Sequence, residues 1–212
     1  MKAIVVEDHV MFRELLAKAC ERYLHAFEIV SVGTAAAARN EIQDGRCTIM
    51  LLDIHLPDAD GFTFATEVLQ LMPTLKIIGI SAYCDPYTAY RLVRSPLCGF
   101  IDKSTQTVIE LGLALQTVAD GGKFYSPSIQ SMLRKLGAAP DSFAKLLSEK
   151  EIRILREVGM GNTDAGIAAL LKIAPATVKW HRKQLMHKLG VCSHTGLVIY
   201  ANKEGFADIR MT

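Results

Sequence analysis

The stretch KAIVVED (2–8) decides how the first half of this chain must fold, because an apolar run stops abruptly at two carboxylates. The stretch IMLLD (49–53) has the same form and ends in Asp53. Short apolar runs of this kind are typical of strands that are covered on both faces in a parallel sheet. Because the carboxyl ends of parallel strands meet at one edge of the sheet, we expect Glu7, Asp8 and Asp53 to lie together there.

Strand-like and helical segments alternate five times through the first 120 residues. The predicted strands are Ala3–Val6, Phe27–Val32, Thr48–Leu52, Lys76–Ile80 and Gly99–Ile101. The predicted helices are Met11–Tyr23, Ala35–Gln43, Thr63–Leu71, Tyr87–Val93 and Ile109–Ala119. This order predicts an α/β unit with a doubly wound, five-stranded parallel sheet and right-handed crossovers. Residues 148–207 show no strand pattern, which predicts a second, small all-α domain of short helices.

Length and composition exclude several classes of protein. The 212 residues allow one or two domains, and 50% hydrophobic with 22% charged residues excludes a disordered chain. The longest apolar run, AGIAALL (165–171), is far shorter than the roughly 20 residues of a membrane-spanning helix. The amino terminus lacks the apolar core of a signal peptide. Five scattered cysteines without a Cys-x-x-Cys pair argue against disulfides or a zinc site, so we expect a soluble protein of the reducing cytoplasm.

The net charge of +2 hides an uneven distribution along the chain. Residues 1–125 hold 11 basic and 15 acidic side chains, net −4, whereas residues 126–212 hold 13 and 7, net +6. Residues 165–203 contain six Lys or Arg side chains and no carboxylate. The asymmetry favours an anionic partner for the second half, although a solvated cationic face would have the same composition.

Two further polar residues follow strands at the same predicted edge, Ser81 after the fourth strand and Lys103 after the fifth. Three carboxylates in one crevice repel each other unless a divalent cation joins them, and Mg²⁺ prefers such oxygen ligands. Asp53 is then a candidate nucleophile that forms an aspartyl-phosphate, with Ser81 and Lys103 contacting phosphoryl oxygens. The alternative for Asp53 and for Ser81 is the ordinary role of a turn former or helix cap.

These positions resemble the receiver domain of two-component response regulators. The matching residues are Glu7-Asp8, Asp53, Leu56-Pro57, Gly61, Ser81-Ala82, Phe100 and Lys103. The resemblance implies a flavodoxin-like fold and phosphorylation of Asp53 by a sensor histidine kinase. It implies a Mg²⁺ site whose ligands are Glu7, Asp8, Asp53 and the backbone carbonyl of His55, with an imidazole ligand as the other interpretation. It also implies that Phe100 is a switch residue that moves inward, whereas its alternative is ordinary core packing.

The second half resembles the LuxR-type helix-turn-helix, and the whole chain resembles the NarL/FixJ class of response regulators. The matching positions are Leu147-Ser148, Glu151, Ile154-Leu155, Gly161, Ile167-Ala168, Thr177-Val178-Lys179, His181 and Lys188-Leu189-Gly190-Val191. We accordingly predict a receiver domain over 1–122, a linker over 123–145 and a DNA-binding domain over 146–212. The implied partners are the kinase, promoter sites in double-stranded DNA, a second copy in a homodimer formed on activation, and RNA polymerase.

The segment Ala176–Lys188 is the candidate DNA-contacting helix. Its apolar stripe consists of Val178, Leu185 and Leu189. Basic side chains occupy another face, where they suit the major groove of DNA. The predicted DNA contacts are Thr177, Lys179, Trp180, Arg182 and Lys183. The alternative for Trp180 is packing, and the alternative for Thr177 is capping of the helix.

Three positions depart from the family pattern. Where the family commonly has Ser-Asn-Lys-Glu-Ile-Ala, this chain has TDAGIA (163–168), so Gly166 replaces a Glu that usually ties helices together. His194 stands where Arg is usual. Pro96 lies in a segment that is commonly Ala-Gly-Ala, and it predicts a shortened or reshaped fourth helix because proline cannot continue a helix.

Two other function classes share part of this pattern. A metal-dependent phosphohydrolase uses the same Asp chemistry, but it carries a second Asp two residues after the nucleophile, where this chain has His55. A response regulator that works without phosphorylation typically has a degraded site, and this site is intact. We therefore expect a transcription regulator that catalyses only its own phosphoryl transfer and dephosphorylation.

Overall fold

The computed structural model describes residues 1–105, 107–138 and 142–206, which form two compact units. The first unit comprises Met1–Cys84 and Arg91–Met132, and the second comprises Asp85–Tyr90 and the chain from Leu133 onward. The strands are β1 (Lys2–Val6), β2 (Glu28–Val32), β3 (Cys47–Asp53), β4 (Lys76–Ser81), β5 (Gly99–Asp102) and β6 (Phe124–Tyr125). The helices up to residue 138 are α1 (Val10–Tyr23), α2 (Ala35–Glu41), α3 (Gly61–Leu71), α4 (Pro86–Val93), α5 (Val108–Ala119) and α6 (Pro127–Ala138). The later helices are α7 (Phe143–Leu146), α8 (Glu149–Gly159), α9 (Asp164–Leu171), α10 (Pro175–Lys188) and α11 (His194–Lys203).

The sheet of the first unit is parallel throughout, with the strand order β2-β1-β3-β4-β5-β6. This confirms the predicted α/β fold with helices on both sides of a parallel sheet. The predicted count of five strands was one too few, because β6 adds a two-residue strand that pairs Gly99 with Phe124. Two residues are too short to show any periodicity, so this strand exists only through its pairing with β5.

The central strands are apolar because both of their faces are covered. Every residue of β1 is buried, and six of the seven residues of β3 are buried as well. On one face, Leu16 of α1 and Leu115 of α5 belong to the same buried cluster as Val5 and Leu51 of the sheet. Burial on both faces removes the alternation of polar and apolar residues, so the central strands are nearly continuous apolar runs.

Polar caps fix where the helices of the first unit begin. Asp60 accepts a hydrogen bond from the Thr63 backbone N–H at the start of α3. Thr107 and Glu110 form a reciprocal capping box at the start of α5. Each cap satisfies backbone donors that the first turn of a helix leaves unpaired. The fourth helix, α4, has only eight residues and ends at Val93, before Pro96, as the sequence predicted.

The second unit is helical, as predicted for the second half of the chain. Ser148 and Glu151 form a capping box that starts α8. Its core contains the buried side chains of Ile152, Leu155, Val158, Ile167, Val178, Leu185, Leu197 and Ala201. The turn from α9 to α10 uses Lys172 in the left-handed region, with a φ of 54°, and Pro175 at the first position of α10. Pro175 suits that position because its backbone lacks the N–H that a helix start leaves unpaired.

Part of the predicted linker is helical. The helix α6 covers Pro127–Ala138, within the segment 123–145. Residues 139–141 of the predicted linker lie outside the described residues. Across the described ranges, no helix combines the length and the apolar character that crossing a membrane requires.

We expect Gly166→Ala to stabilise the second unit by roughly 0.5–1 kcal/mol, because alanine has less backbone freedom to lose on folding. The added Cβ would make only an ordinary contact, 3.5 Å from Thr163 Oγ1. Urea unfolding followed by the fluorescence of Trp180, the single tryptophan, measures this unit. Gly61→Ala is the contrasting variant, since its Cβ would lie 2.6 Å from the Asp53 carbonyl oxygen, and it should destabilise the first unit. An unchanged or lower midpoint for Gly166→Ala would contradict this expectation.

Candidate functional site: an acidic pocket and a basic helix

Three carboxylates lie together at the edge of the sheet where β1 and β3 end. The register pairs Val6 with Leu52, so Glu7 and Asp53 follow as neighbours on adjacent strands. Single carboxylate oxygens of Glu7, Asp8 and Asp53 all lie within 4.8 Å of one another. Glu7 and Asp53 are buried, whereas Asp8 is exposed. The cluster therefore reaches solvent through Asp8.

One ammonium group, that of Lys103, faces two of these carboxylates. Its nitrogen lies 2.8 Å from Asp53 Oδ2 and 2.7 Å from Glu7 Oε2. Burial raises the pKa of the Glu7 carboxyl, the Lys103 ammonium opposes this, and the charge of Asp53 adds to it, so that the pKa lies above its ordinary value. Glu7 Oε2 is buried, and its contact with Lys103 is an ion pair rather than a hydrogen bond of good geometry.

These residues fit a hard divalent cation such as Mg²⁺. All three side chains offer oxygen ligands, and the exposed Asp8 leaves a side on which waters can complete the coordination. The buried Oε2 of Glu7 shares one ammonium group with Asp53, so a cation would supply further positive charge to it. The chain turns directly after Asp53, because the His55 backbone N–H donates to Asp53 Oδ1 at 2.9 Å.

Ser81, the last residue of β4, is completely buried and already hydrogen-bonded. Its hydroxyl donates to the Tyr83 carbonyl and accepts from the Tyr83 N–H, both at 3.0 Å. The imidazole of His55 lies beside it, with Nδ1 at 3.3 Å from Ser81 Oγ, and packs edge-on against the Tyr83 ring. In this arrangement the hydroxyl turns towards its own loop, so it must rotate before it can donate to a group on Asp53.

Phe100 on β5 is fully buried and stacks on Phe62 of α3, with ring centroids 5.9 Å apart. The guanidinium of Arg91 covers the other side of this pair, 4.4 Å from the Phe62 centroid. Arg91 also binds the Asp60 carboxylate with both terminal nitrogens, and its Nη1 lies 2.7 Å from Asp60 Oδ2. Burial alone would raise the pKa of Asp60, but the hydrogen bonds and charge of Arg91 outweigh it and lower the pKa to about 2.

The helix α10 presents most of its predicted contact residues to solvent. Lys179, Trp180 and Lys183 are exposed, with 56% of Trp180 accessible. Neither lysine has an ion pair with any residue in the described ranges. Thr177 is half-buried in the first turn. Arg182 differs from the others, because its guanidinium is ion-paired with Asp164 of α9 and only 18% of its side chain is exposed.

The structure adds functional candidates that the sequence did not single out. Arg13 of α1 donates to the Glu7 carbonyl at 2.7 Å and to the Asp8 carbonyl at 3.2 Å, and so braces the loop that carries both carboxylates. His187 is exposed one turn after Lys183 on α10. A helical-wheel plot of α10 would have found His187. No local sequence pattern predicts the contacts of Arg13, because they depend on the folded loop.

Comparison with known proteins agrees with both halves of the chain. The response regulator receiver domain pattern matches residues 3–111, and the pattern described as bacterial regulatory proteins, luxR family, matches residues 145–201. The probable transcriptional regulatory protein NarL of Mycobacterium tuberculosis is 30% identical over 212 residues, which cover 98% of this chain and 96% of that protein. This chain belongs to the response regulator family, and it carries a LuxR-type DNA-binding domain.

Other response regulators of the same length are also similar to it. VraR of Staphylococcus epidermidis is 26% identical over 205 residues, which cover 95% of this chain and 96% of VraR. The solved RcsB–DNA complex has a TM-score of 0.66 at 24% identity and covers 96% of this chain and 98% of RcsB. At 24% identity, the likeness to RcsB shows that the two chains share a fold. The protein is thus a transcriptional response regulator with a receiver domain and a LuxR-type DNA-binding domain.

We expect Mg²⁺ at millimolar concentration to raise the melting temperature of this response regulator, because a ligand that binds only the folded state stabilises it. Glu7→Gln should remove most of the increase, since it replaces a buried carboxylate oxygen of the cluster by an amide. Asp120→Asn is the control, because Asp120 lies at the far end of α5 and should leave the response to Mg²⁺ intact. Thermal unfolding by circular dichroism measures the effect. An equal increase in wild type and Glu7→Gln would refute the site.

The Asp60–Arg91 pair should make stability depend on acidity. The lowered pKa of Asp60 means that its contribution is complete above pH 4 and disappears as the pH falls towards 2. Asp60→Asn keeps a helix cap but loses the charge, so we expect a loss of about 1–2 kcal/mol at pH 7 that shrinks across this range. Urea unfolding of the two proteins at several pH values measures the difference.

Glu67→Gln is the matched control for this pair. Glu67 also binds an arginine that lies over a phenylalanine, at 2.8 Å from Arg39, but both side chains are about half exposed. Solvent-exposed pairs contribute little, so this variant should change the stability only slightly at any pH. Equal effects of the two substitutions would show that burial of the Asp60–Arg91 pair does not matter.

Proposed function

We propose that a sensor histidine kinase phosphorylates this response regulator on Asp53, and that phosphorylation controls its dimerisation and its binding to promoter DNA. The observation that carries the proposal is the cluster of the Glu7, Asp8 and Asp53 carboxylates, in which Glu7 and Asp53 share the single ammonium group of Lys103. The proposed cofactor is Mg²⁺, and its proposed ligands are Glu7, Asp8, Asp53 and the backbone carbonyl of His55. The cation would neutralise charge on the phosphoryl group as it is transferred.

Asp53 is the proposed nucleophile. Its carboxylate oxygen attacks the phosphorus of a phosphohistidine, the P–O bond forms as the P–N bond breaks, and the leaving imidazole takes up a proton. The backbone N–H of His55 holds Oδ1, at 2.9 Å, which orients the carboxylate for attack. Lys103, now shared between Asp53 and Glu7, would then bind a phosphoryl oxygen.

The proposed switch is the turn from Ser81 to Tyr83. Phosphorylation adds about −1.5 to −2 charges and three strong acceptor oxygens beside it. The Ser81 hydroxyl would leave the Tyr83 carbonyl and donate to the phosphoryl group, which pulls the turn inward. The phosphoryl group thereby favours one of two conformations by its extra contact. Phe100 is already buried, so the change that we propose centres on this turn, with Phe100 and Phe62 repacking beside it.

The proposed DNA contacts are on α10. Exposed Lys179 and Lys183 would bind base edges or phosphates in the major groove, with Trp180 against a base and Thr177 at a phosphate. We propose the domain division 1–122, 123–145 and 146–212 for these two activities. The similarity to a transcriptional regulatory protein of M. tuberculosis and to RcsB, which was solved in complex with DNA, supports a role at promoters, where RNA polymerase is a further proposed partner.

A metal-dependent phosphohydrolase is the competing function for the acidic pocket. Such an enzyme needs a general acid near the leaving group, and the residue two positions after Asp53 is His55, whose Nδ1 lies 3.3 Å from Ser81 Oγ. We therefore propose that Asp53 is labelled once per chain and that no phosphate ester is turned over. A regulator that ignores phosphorylation is the second competitor, and it predicts DNA binding that never responds to a phosphodonor.

We expect a small phosphodonor with Mg²⁺ to increase the affinity of the wild-type chain for its DNA site and to shift it from monomer to dimer. Asp53→Asn should abolish both responses, because an amide is not a nucleophile for phosphorus. Gel-shift titration on a duplex selected from random sequence, together with light scattering, measures the two responses. Asp120→Asn, at the opposite end of α5, should respond like wild type. A full response of Asp53→Asn would overturn the proposal.

A further inference from the structure

Arg182 occupies a different environment from the other basic residues of α10. Its Nη1 donates to Asp164 in the first turn of α9, and its Nη2 donates to His194 Nδ1 at the first residue of α11. A guanidinium group has no acceptor, so Nδ1 of His194 must accept, and the imidazole proton sits on Nε2. One side chain of α10 thus holds residues from both neighbouring helices.

This contact explains two departures from the family pattern that the proposed function leaves unexplained. The chain lacks the usual Glu at position 166, where Gly166 stands, and it lacks the usual Arg at position 194. The usual Glu at position 166 ties helices together in the family, and Gly166 has no side chain to do so. Here the tie runs through Arg182, which contacts the residue two positions before Gly166 and the histidine that replaces the arginine.

We propose that Asp164, Arg182 and His194 form a clamp that sets the orientation of α10 against α9 and α11. In this clamp, Arg182 is a positioning residue for DNA recognition, and DNA is contacted by its exposed neighbours. The inference rests on the proposed DNA-binding role of α10. It replaces the expectation from the sequence that Arg182 itself touches DNA.

The direction in which loss of Asp164 changes DNA affinity distinguishes the clamp from a purely electrostatic effect. Asp164 is a carboxylate in a unit that is proposed to meet a polyanion, and its removal would strengthen DNA binding if only long-range electrostatics mattered. The clamp predicts the opposite, because loss of Asp164 frees Arg182 and loosens α10. The ion pair is largely shielded, with 18% of Arg182 and 30% of Asp164 exposed, so solvent screens it incompletely.

Lys179 supplies the comparison within the same helix. Lys179 is exposed and has no ion pair in the described part of the chain, so it represents a side chain that is free to reach a phosphate or a base. Log K falls as log salt concentration rises, and a lost phosphate contact makes this negative slope smaller in magnitude by about 0.9. A lost positioning contact lowers the affinity without changing that slope, because the number of neutralised phosphates stays the same.

The experiment uses the full chain with phosphodonor and a duplex selected by the wild-type protein from random sequence, titrated at several salt concentrations. We expect Asp164→Asn and Arg182→Gln each to weaken binding by about 5- to 30-fold with an unchanged salt slope. Lys179→Gln should weaken binding and also reduce the magnitude of the salt slope by about 0.9. Glu149→Gln removes a carboxylate from the exposed start of α8 and should not weaken binding.

A double-mutant cycle and a conservative variant separate the clamp from a loss of folding. If the two residues act as a unit, Asp164→Asn with Arg182→Gln should bind no more weakly than Arg182→Gln alone. Asp164→Glu keeps the carboxylate and should restore most of the affinity. Should Asp164→Asn lose its helical circular dichroism, Arg182→Lys decides, because lysine keeps the charge but not both contacts. Wild-type affinity of Arg182→Lys would then refute the clamp.

Three results would overturn the inference. Binding by Asp164→Asn that equals or exceeds wild type would show that the carboxylate only repels DNA. A salt slope smaller in magnitude by about 0.9 in Arg182→Gln would show that Arg182 contacts a phosphate. If Lys179→Gln changes neither affinity nor slope, α10 is not the DNA-binding face, and the clamp falls together with that part of the proposed function.

Discussion

The arrangement on which the first unit depends is the burial of two carboxylates against a single ammonium group. Glu7 and Asp53 share Lys103, and the raised pKa of Glu7 shows that this sharing does not fully compensate for burial. Unbalanced buried charge costs stability, and perturbed carboxyl groups of this kind concentrate at functional sites. The carboxylates of Glu7 and Asp53 meet because β1 and β3 pair in parallel register. Lys103 joins them because it directly follows β5 at the same edge of the sheet.

Much of this pocket could be predicted from the sequence because it lies where strands end. Buried parallel strands are uniform apolar runs, so the first polar residue after each run marks the functional edge of the sheet. Asp53 is such a residue, Lys103 directly follows β5, and the structure brings the two to 2.8 Å. The short strand β6 was missed, since its two residues are a strand only because β5 offers them a partner.

Contacts between distant side chains were beyond the reach of sequence patterns. Asp60 lies in a loop and Arg91 on α4, and only the folded chain brings them into contact, with the Arg91 guanidinium 4.4 Å from the Phe62 ring centroid. The same limit applied to α10. The spacing of its basic residues correctly predicted a basic surface, but charge counting treated Arg182 and Lys183 alike, although one is ion-paired and the other is exposed.

Charge balance therefore matters more than charge count in both units. In the first unit, a cluster of three carboxylates contains two that share one ammonium group, which leaves a negative excess suited to a cation. In the second unit, Asp164 compensates Arg182 and Glu151 compensates Lys188, so the basic surface that remains is narrower than the sequence indicates. Paired charges fix the geometry of the helices, and unpaired charges remain for the ligand. Because a cation that is already paired within the protein gains less from a phosphate, the ion pairs of Arg182 and Lys188 favour the exposed Lys179 and Lys183 as the proposed DNA contacts.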